Sequence, residues 1–309
     1  RSLCSSAALT ASERQNASLK LANAIWMNGE TGAKLNEGYQ KRVEEMYGAG
    51  SRTLPFSKAS SIKTVNDWCS DRTDGMIPHV VDESTMTPDT VMLLMNALSF
   101  NAKWANPFPD YGDDKNGEFH GVKGTEKVTM MHETENLYVE GKGEIGFIKP
   151  YEGGEYAFVA LLPKNGSKGM DEYLSTLSGK AFSALLTGAR NETVIINMPK
   201  FKSEYAVSLE TLLKEAFPSA FDPENADFSQ MVTLPGKETV FISDVLQKTF
   251  IEVDSDGTRA AAVTVEEVKC ASVSYVDPKV VTLDCPFVYA IVHTATGTPV
   301  FIGTVESVG

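Results

Sequence analysis

Four histidines are the candidates for acid–base chemistry in this chain, and none stands in a catalytic motif. They are His79, His120, His132 and His293. The sequence contains no G-x-S-x-G nucleophile elbow, no H-E-x-x-H metal motif and no P-loop. Glu133 follows His132, but no second histidine lies one helical turn later, so the pair lacks the ligand set of a zinc site. The residue pattern indicates that the chain is not an enzyme, and it predicts neither a metal site nor a cofactor.

A second unusual pattern lies between Glu252 and Val268, where an alanine-rich stretch separates two strand-like segments. In an extended chain, alternate side chains point to opposite faces. One face carries Thr258, Ala260, Ala262 and Thr264, and the other carries Arg259, Ala261, Val263 and Val265. The first face is small and uncharged, the β-branched residues after Ala262 disfavour a helix, and Gly257 supplies a pivot. The pattern predicts a segment that can become a sheet strand.

The elements around this segment are helices with one apolar stripe and strongly apolar strands. Helical spacing is shown by Tyr39, Val43, Met46 and Tyr47, by Ile62, Val65, Trp68 and Cys69, and by Leu209, Leu212, Leu213 and Ala216. We expect these stripes to cover a sheet. The strand candidates are TVMLLMNALSF, YAFVALLP, TVIINMPKF, TVFISDV, PFVYAIVH and PVFIGTV. Several are apolar on both faces, which is typical of central strands, and the mixture predicts an α/β or α+β domain.

Five separated motifs carry a resemblance to one family. They are the glycine-threonine-alanine pattern of Gly257 to Ala262, the Pro286–Phe287 pair with the following Gly297, Thr298, Phe301 and Gly303, the segment NALSFNAKWANPF from Asn96, MPKFKSEY from Met198, and ADFSQM from Ala226. Together, and in the family's order along the chain, they resemble the serpins, a family of serine protease inhibitors. The resemblance covers nearly the whole chain.

The resemblance implies a mixed α/β fold of three β-sheets surrounded by helices. It implies one domain over residues 1–309, with an exposed reactive-centre loop at about residues 254–281 that can insert into the largest sheet. The family's first three helices, A to C, have no counterpart, because the motifs align Arg1 near the fourth helix. The chain is therefore either a fragment of a longer protein or a shortened serpin, and we favour a fragment or an incomplete gene product.

The mechanism that the resemblance implies is that of a suicide substrate. A serine protease attacks the loop and forms an acyl-enzyme, and the cut loop then inserts into the sheet before the ester is hydrolysed. The hinge of this movement would be Gly257 to Thr264. Trp104, at the breach, and Asn96 and Gln247, at the shutter, would control opening of the sheet. Glu266 continues the alternation of Thr258, Ala260, Ala262 and Thr264, so its charged side chain would also face into the sheet and would lower the efficiency of insertion.

Two positions are open for the scissile bond. Counting from Gly257 gives Ala271–Ser272, which suits elastase-like proteases, and we prefer it. Counting back from Pro286 gives Tyr275–Val276, which suits chymotrypsin-like enzymes. Alternatives to serine protease inhibition are a non-inhibitory carrier or folding helper and a cross-class inhibitor of cysteine proteases.

Composition limits the partners. The formal charge of −13 argues against nucleic acid and anionic membranes, and no apolar run reaches the roughly 20 residues of a membrane helix. Cys4, Cys69, Cys270 and Cys285 are too scattered for a disulfide framework, so we expect free thiols. We expect a monomer that can polymerise by loop–sheet exchange and that is extracellular or exported to the cell surface, although this chain shows no signal peptide.

Overall fold

The computed structural model describes residues 17–88, 90–109, 116–235, 240–242, 244–258 and 277–308. These residues form five α-helices and sixteen strands. The helices are α1 (Glu37–Tyr47), α2 (Ala59–Arg72), α3 (Met170–Thr176), α4 (Gly179–Thr187) and α5 (Glu210–Ala216). The strands are β1 (Ala17–Asn28), β2 (Lys34–Leu35), β3 (Gly50–Leu54), β4 (Met92–Lys103), β5 (Asn116–Gly121), β6 (Gly124–Glu140), β7 (Glu144–Pro150), β8 (Tyr156–Pro163), β9 (Arg190–Pro199), β10 (Phe201–Ser208), β11 (Val232–Thr233), β12 (Val245–Val253), β13 (Gly257–Thr258), β14 (Lys279–Thr282), β15 (Phe287–His293) and β16 (Thr298–Val305).

The strands form three sheets. One has six strands in the order β10-β12-β13-β4-β1-β3, and a small sheet pairs β11 with β2. The third has eight strands in the order β14-β9-β6-β7-β8-β15-β16, with β5 on β6. We expected the loop to join the largest sheet, but the hinge strand β13 lies in the six-stranded one. The other sheet is larger because the long β6 pairs with β5, β7 and β9 and so joins two groups of strands.

The described residues form two compact units, and the chain passes between them within β1, β4, β10 and β12. The first unit contains residues 19–100 and 204–250, and the second contains residues 101–203 and 251–308 together with 17 and 18. In the first unit, α2 buries the predicted stripe of Val65, Trp68 and Cys69, and Trp68 meets Trp26 of β1 edge to face at 5.6 Å. The helical pattern of α2 is thus confirmed, and its apolar face covers the sheet.

Two expectations about local structure need correction. Only the last residue of the segment TVFISDV is in a strand, which begins at Val245. Before it, Ile242 donates its N–H to the Ala220 carbonyl and Val240 packs into a core cluster of the first unit. Helix α5 forms as expected, but it buries none of its residues, and Leu212 is 66% exposed. Of its apolar stripe, Leu209 and Leu213 are half-buried, whereas Leu212 and Ala216 are exposed.

In the second unit the core is built on β8 and β15. Every residue of β8 except Leu162 is buried, as its continuous apolar run predicts for a central strand. Phe158 of β8 stacks on Tyr289 of β15 with 6.1 Å between ring centroids, and it meets Trp104 edge to face at 5.7 Å. This aromatic core supports the end of β4, where the candidate site lies.

The part of the chain that the structure describes contains no candidate membrane span, no metal-ligand cluster and no disulfide. No helix there is both long and apolar enough to span a membrane, and no cluster of potential metal ligands is present. The two cysteines that lie within it, Cys69 and Cys285, are free thiols.

The Cys69 thiol provides a test of the first unit's core. Burial raises the pKa of this thiol to about 11, so very little thiolate exists at pH 8. We expect iodoacetamide to label Cys69 at least about 100-fold more slowly in the native protein than in urea-unfolded protein. Peptide mass spectrometry over a labelling time course measures both rates, and equal rates would contradict the burial of α2 described above.

Candidate functional site

A tight turn after β12 sends the chain back into the sheet. The carboxylate of Asp254 accepts the N–H groups of Asp256 and Gly257 at 2.9 and 3.0 Å, and the Asp254 N–H donates to the Gly257 carbonyl at 2.9 Å. This local side-chain capping is typical of aspartate in turns. Half burial of the carboxyl group raises its pKa, although the two N–H donors oppose that shift. The turn fixes where the following strand begins.

The two residues after the turn form β13, which lies between β12 and β4. Thr258 pairs with Val253 of β12, while Gly257 and Thr258 pair with Lys103 and Ala102 of β4. Both pairings are antiparallel, so the chain enters between two strands that run parallel to each other. The described part of the predicted hinge is thus already a sheet strand.

Glycine is required at the first position of β13 because two backbones approach closely there. A Cβ atom on Gly257 would lie 2.2 Å from the Ala102 carbonyl oxygen and 2.8 Å from the Lys103 Cα. Both of these atoms belong to the backbone and cannot rotate away. Any side chain at this position would therefore push the hinge out of the sheet.

Thr258 is held by a buried hydroxyl pair. Its side chain is fully buried, and its hydroxyl lies 2.6 Å from the Tyr151 hydroxyl. Burial raises the pKa of Tyr151 far above its usual range, so the phenol stays protonated and can donate. The Tyr151 ring in turn stacks on Trp104, with 4.5 Å between centroids and 8° between planes. A small hydroxyl-bearing residue fits this pocket.

The segment that starts at Trp104 holds the turn by three hydrogen bonds. The indole Nε1–H donates to the Asp254 carbonyl at 2.9 Å, and the Trp104 backbone N–H donates to the Asp256 carbonyl at 2.9 Å. The Phe108 N–H donates to the Ser255 carbonyl at 2.8 Å. All three carbonyls of the turn therefore have partners on this segment.

In the first unit the same two strands pair directly with each other. Residues Val245 to Phe250 of β12 lie opposite Leu94 to Ser99 of β4 in a parallel ladder, with no strand between them. A longer insertion after Thr258 would have to separate this ladder.

The predicted shutter residues lie on this ladder, and one of them, Asn96, has a hydrogen-bond partner on a third strand. Gln247 and Asn96 are opposite each other in the register. Within the described chain, however, the Asn96 amide group donates to Asn23 of β1 at 2.8 Å and not to Gln247. The missed partner had one signal in the sequence, since Asn23 is the single amide that interrupts the apolar run LANAIWM.

The structure brings together some of the predicted site residues and leaves the others untested. Trp104, Gly257 and Thr258 meet in the second unit, and Asn96 and Gln247 face each other in the first. The rest of the hinge, Arg259, Ala260, Ala261, Ala262, Val263 and Thr264, and both candidate bonds, Ala271–Ser272 and Tyr275–Val276, lie outside the described residues. Sequence reasoning missed Tyr151 and Asp254, whose roles depend on a fold-level contact and on turn geometry.

Residues 2–308 match the profile of a family described as serpin (serine protease inhibitor). The chain is a serpin. Members of this family are in general protease inhibitors and not catalytic enzymes.

Two relatives show how far the likeness extends. A serpin-like protein of Thermococcus kodakarensis is 32% identical over 290 residues, which cover 92% of this chain and 65% of that protein. The leukocyte elastase inhibitor A of Rattus norvegicus is 30% identical over 306 residues, which cover 94% of this chain and 77% of that protein. The chain thus spans about two thirds of the archaeal relative and three quarters of the rat protein.

Solved serpin structures confirm the fold. The thermophilic serpin Tengpin in its native state has a TM-score of 0.86 at 36% identity, over 95% of this chain and 74% of that one. The same protein in its latent state has a lower TM-score of 0.78 at 33% identity, over 95% of this chain and 77% of that one. This serpin is therefore more similar to the native than to the latent form.

The close approach of two backbones at Gly257 predicts that Gly257→Ala displaces Gly257 and Thr258 from their position between β4 and β12. We expect amide hydrogen exchange at Thr258 to become at least about tenfold faster, because the new methyl group clashes with backbone atoms. Gly38→Ala is the matched control, since a Cβ atom there meets nothing within 4 Å and alanine favours helix α1. Unchanged exchange at Thr258 in Gly257→Ala would contradict the seating of β13.

The buried hydroxyl pair predicts an energetic coupling between Tyr151 and Thr258. Tyr151→Phe should lower the free energy of hinge opening by about 1–3 kcal/mol, because the Thr258 hydroxyl stays buried without its partner. In Tyr151→Phe/Thr258→Val the loss should be smaller than the sum of the two single losses. Hydrogen exchange of the Thr258 amide measures all three, and strictly additive effects would show that the two hydroxyls do not interact.

Proposed function

We propose that this serpin is a suicide-substrate inhibitor of serine proteases, with preference for elastase-like enzymes. The observation that carries the proposal is the seating of Gly257 and Thr258 between β4 and β12. A strand has begun there, and the chain that follows it is the one with alternating small residues. A cut in the loop would free that chain to continue in the same direction.

The register of β13 supports the proposal because it predicts what an inserted loop would meet. Antiparallel pairing starts from Thr258 opposite Ala102, so six residues further along the loop Thr264 would come opposite Asn96. On the other side, counting from Val253 places Thr264 opposite Gln247. Asn96 and Gln247 are themselves opposite each other in the present ladder, so the two counts agree. Thr264 would then lie between two amide side chains that can bond its hydroxyl.

The same register places alanines where space is limited. Ala260 would come opposite Phe100, which is fully buried, and Ala262 would come opposite Leu98, which is partly buried. Thr258, which precedes them in the same alternation, is fully buried, so side chains at these positions would point into the core. Large or charged residues at these positions would oppose insertion because each would have to be desolvated.

Glu266 is less of an obstacle than its parity suggests. In this register it would come opposite Leu94 of β4, which is only partly buried among the described residues. A carboxylate near water keeps most of its hydration, so its cost falls. We therefore expect Glu266 to slow the last part of insertion and not to prevent it.

Insertion has a favourable balance of hydrogen bonds. The direct ladder between β4 and β12 is parallel, and an inserted loop would replace it with two antiparallel ladders. Antiparallel pairs are slightly more stable per residue than parallel ones, and the number of paired strands rises. The other end of the uncut loop is held by its connection to β14, which opposes this arrangement, so cleavage is the natural trigger.

The target preference rests on the candidate bond and on one relative. Alanine at residue 271 suits the small pocket of elastase-like proteases, and the similar rat protein is an elastase inhibitor by name. Cleavage at Tyr275 would instead favour chymotrypsin-like targets.

We propose that the inhibitor works outside the cell or at its surface as a monomer without a cofactor. Serpins can also polymerise through loop and sheet, as one similar structure does.

The direct test is to mix the protein with neutrophil or pancreatic elastase. We expect a covalent complex of summed mass on a denaturing gel, and mass spectrometry of the released peptide should locate the cut after Ala271. Release after Tyr275 would overturn the elastase preference. Clean cleavage without a complex would support a carrier or folding helper, and a complex formed only with a cysteine protease would support the cross-class alternative.

Thr258→Arg should convert the inhibitor into a substrate. The arginine cannot enter the buried pocket beside Tyr151, so insertion slows while hydrolysis of the acyl-enzyme continues. We expect the yield of covalent complex to fall at least about tenfold. Thr187→Arg is the control, because Thr187 is exposed at the end of α4. Equal complex yields for both variants would show that the pocket does not govern insertion.

A further inference from the structure

A buried ion pair lies in the second unit beside the hinge turn. The Nζ atom of Lys149, at the end of β7, is 2.6 Å from a carboxylate oxygen of Glu135 on β6. The Lys149 side chain is fully buried, and that of Glu135 is 5% exposed. Burial lowers the pKa of Lys149, while the carboxylate of Glu135 acts in the opposite direction. A charge in this position requires contacts that hold it.

Stability of the core does not by itself account for this pair. Removing two charges from water costs about as much as their attraction returns, so a pair of apolar residues would serve a core at least as well. Lys149 belongs to a region of aromatic rings, where such residues would fit. The pair is better explained by what else the ammonium group contacts.

The ammonium group also holds the chain that follows β4. Nζ donates to the Asn106 carbonyl at 2.7 Å. It lies 4.5 Å from the ring centroid of Phe108 and 5.4 Å from that of Trp104, so both rings face the charge. One cation thus fixes a carbonyl and two side chains of the same short segment.

Two backbone hydrogen bonds hold the first part of this segment. The Glu152 N–H donates to the Lys103 carbonyl at 2.8 Å, and the Ala105 N–H donates to the Pro150 carbonyl at 3.0 Å. These backbone bonds hold residues up to 105. Beyond that point Lys149 supplies both the hydrogen bond to Asn106 and the charge against the Phe108 ring.

Phe108 is the residue that connects Lys149 with the hinge. Its N–H donates to the carbonyl of Ser255 in the turn that precedes β13. We propose that Lys149 is a positioning residue of the hinge: its buried ammonium group fixes residues 106–108 so that the Phe108 N–H holds the turn and keeps Gly257 and Thr258 in the sheet. The exchange measurement below is independent of protease inhibition, whereas the consequence for inhibition rests on the proposed function.

The consequence concerns the competition between insertion and hydrolysis. A hinge that is held in the sheet has already begun to insert before the loop is cut. When the turn is released, insertion starts later and more of the acyl-enzyme is hydrolysed. Loss of the Lys149 contacts should therefore raise the number of inhibitor molecules consumed for each protease molecule inactivated.

The test compares amide exchange in variants that keep the core neutral. Lys149→Met alone leaves the Glu135 carboxylate buried without its partner, so the main variant is Glu135→Gln/Lys149→Met, in which both charges are gone. We expect the Phe108 amide to exchange about tenfold faster in this variant, because its position is no longer fixed. The Ala105 amide should keep its protection, since Pro150 still accepts its hydrogen bond. Lys63→Met, which removes an exposed lysine paired with Asp67, is the control.

The outcomes separate the inference from the proposed function. Unchanged exchange at Phe108, or an equal increase at Ala105 and Phe108, overturns the positioning role and leaves a merely structural pair. Faster exchange at Phe108 with an unchanged number of inhibitor molecules consumed per protease molecule inactivated would show that holding Gly257 and Thr258 in the sheet does not affect inhibition. If the unsubstituted protein is cut without forming a complex, the proposed function fails, while the exchange result still decides the role of Lys149.

Discussion

The arrangement of this serpin depends on one constraint: β4 and β12 can bond to each other or to a strand between them, but not to both at the same positions. In the first unit they bond to each other over six residue pairs. In the second unit Gly257 and Thr258 have taken the place between them. β4 and β12 are therefore paired directly in the first unit and separated by β13 in the second. Extension of β13 along these strands would exchange one ladder for two.

Each feature of the candidate site helps to hold β13 between these strands. The absence of a side chain at Gly257 permits the close approach to Ala102, and the carboxylate of Asp254 makes the reversal of the chain tight enough. Tyr151 fills the pocket under Thr258 and forms a hydrogen bond with its hydroxyl. The first hinge side chain that points into the core therefore has a hydrogen-bond partner there. The aromatic rings around Trp104 supply the rigid support that positions both groups.

The sequence predicted the parts that depend on local pattern. The periodicity of Val65, Trp68 and Cys69 identified a covering helix, and the apolar run of β8 identified a central strand. It could not show that Asn96 would bond to Asn23, because 73 residues separate the two amides and only the sheet order brings them together. Likewise Lys149 had the pattern of a solvent-exposed residue near a turn. Its burial depends on Glu135, which belongs to another strand.

The central claim is that the severed loop completes the six-stranded sheet, and thermal unfolding before and after cleavage tests it most directly. The loop is cut with a protease that is not trapped, and the two products are heated in parallel. Completion of the sheet predicts that the unfolding midpoint rises by about 8 °C or more, because roughly 5 kcal/mol of added stability shifts a domain of this size by that amount. An unchanged or lowered midpoint would contradict the account.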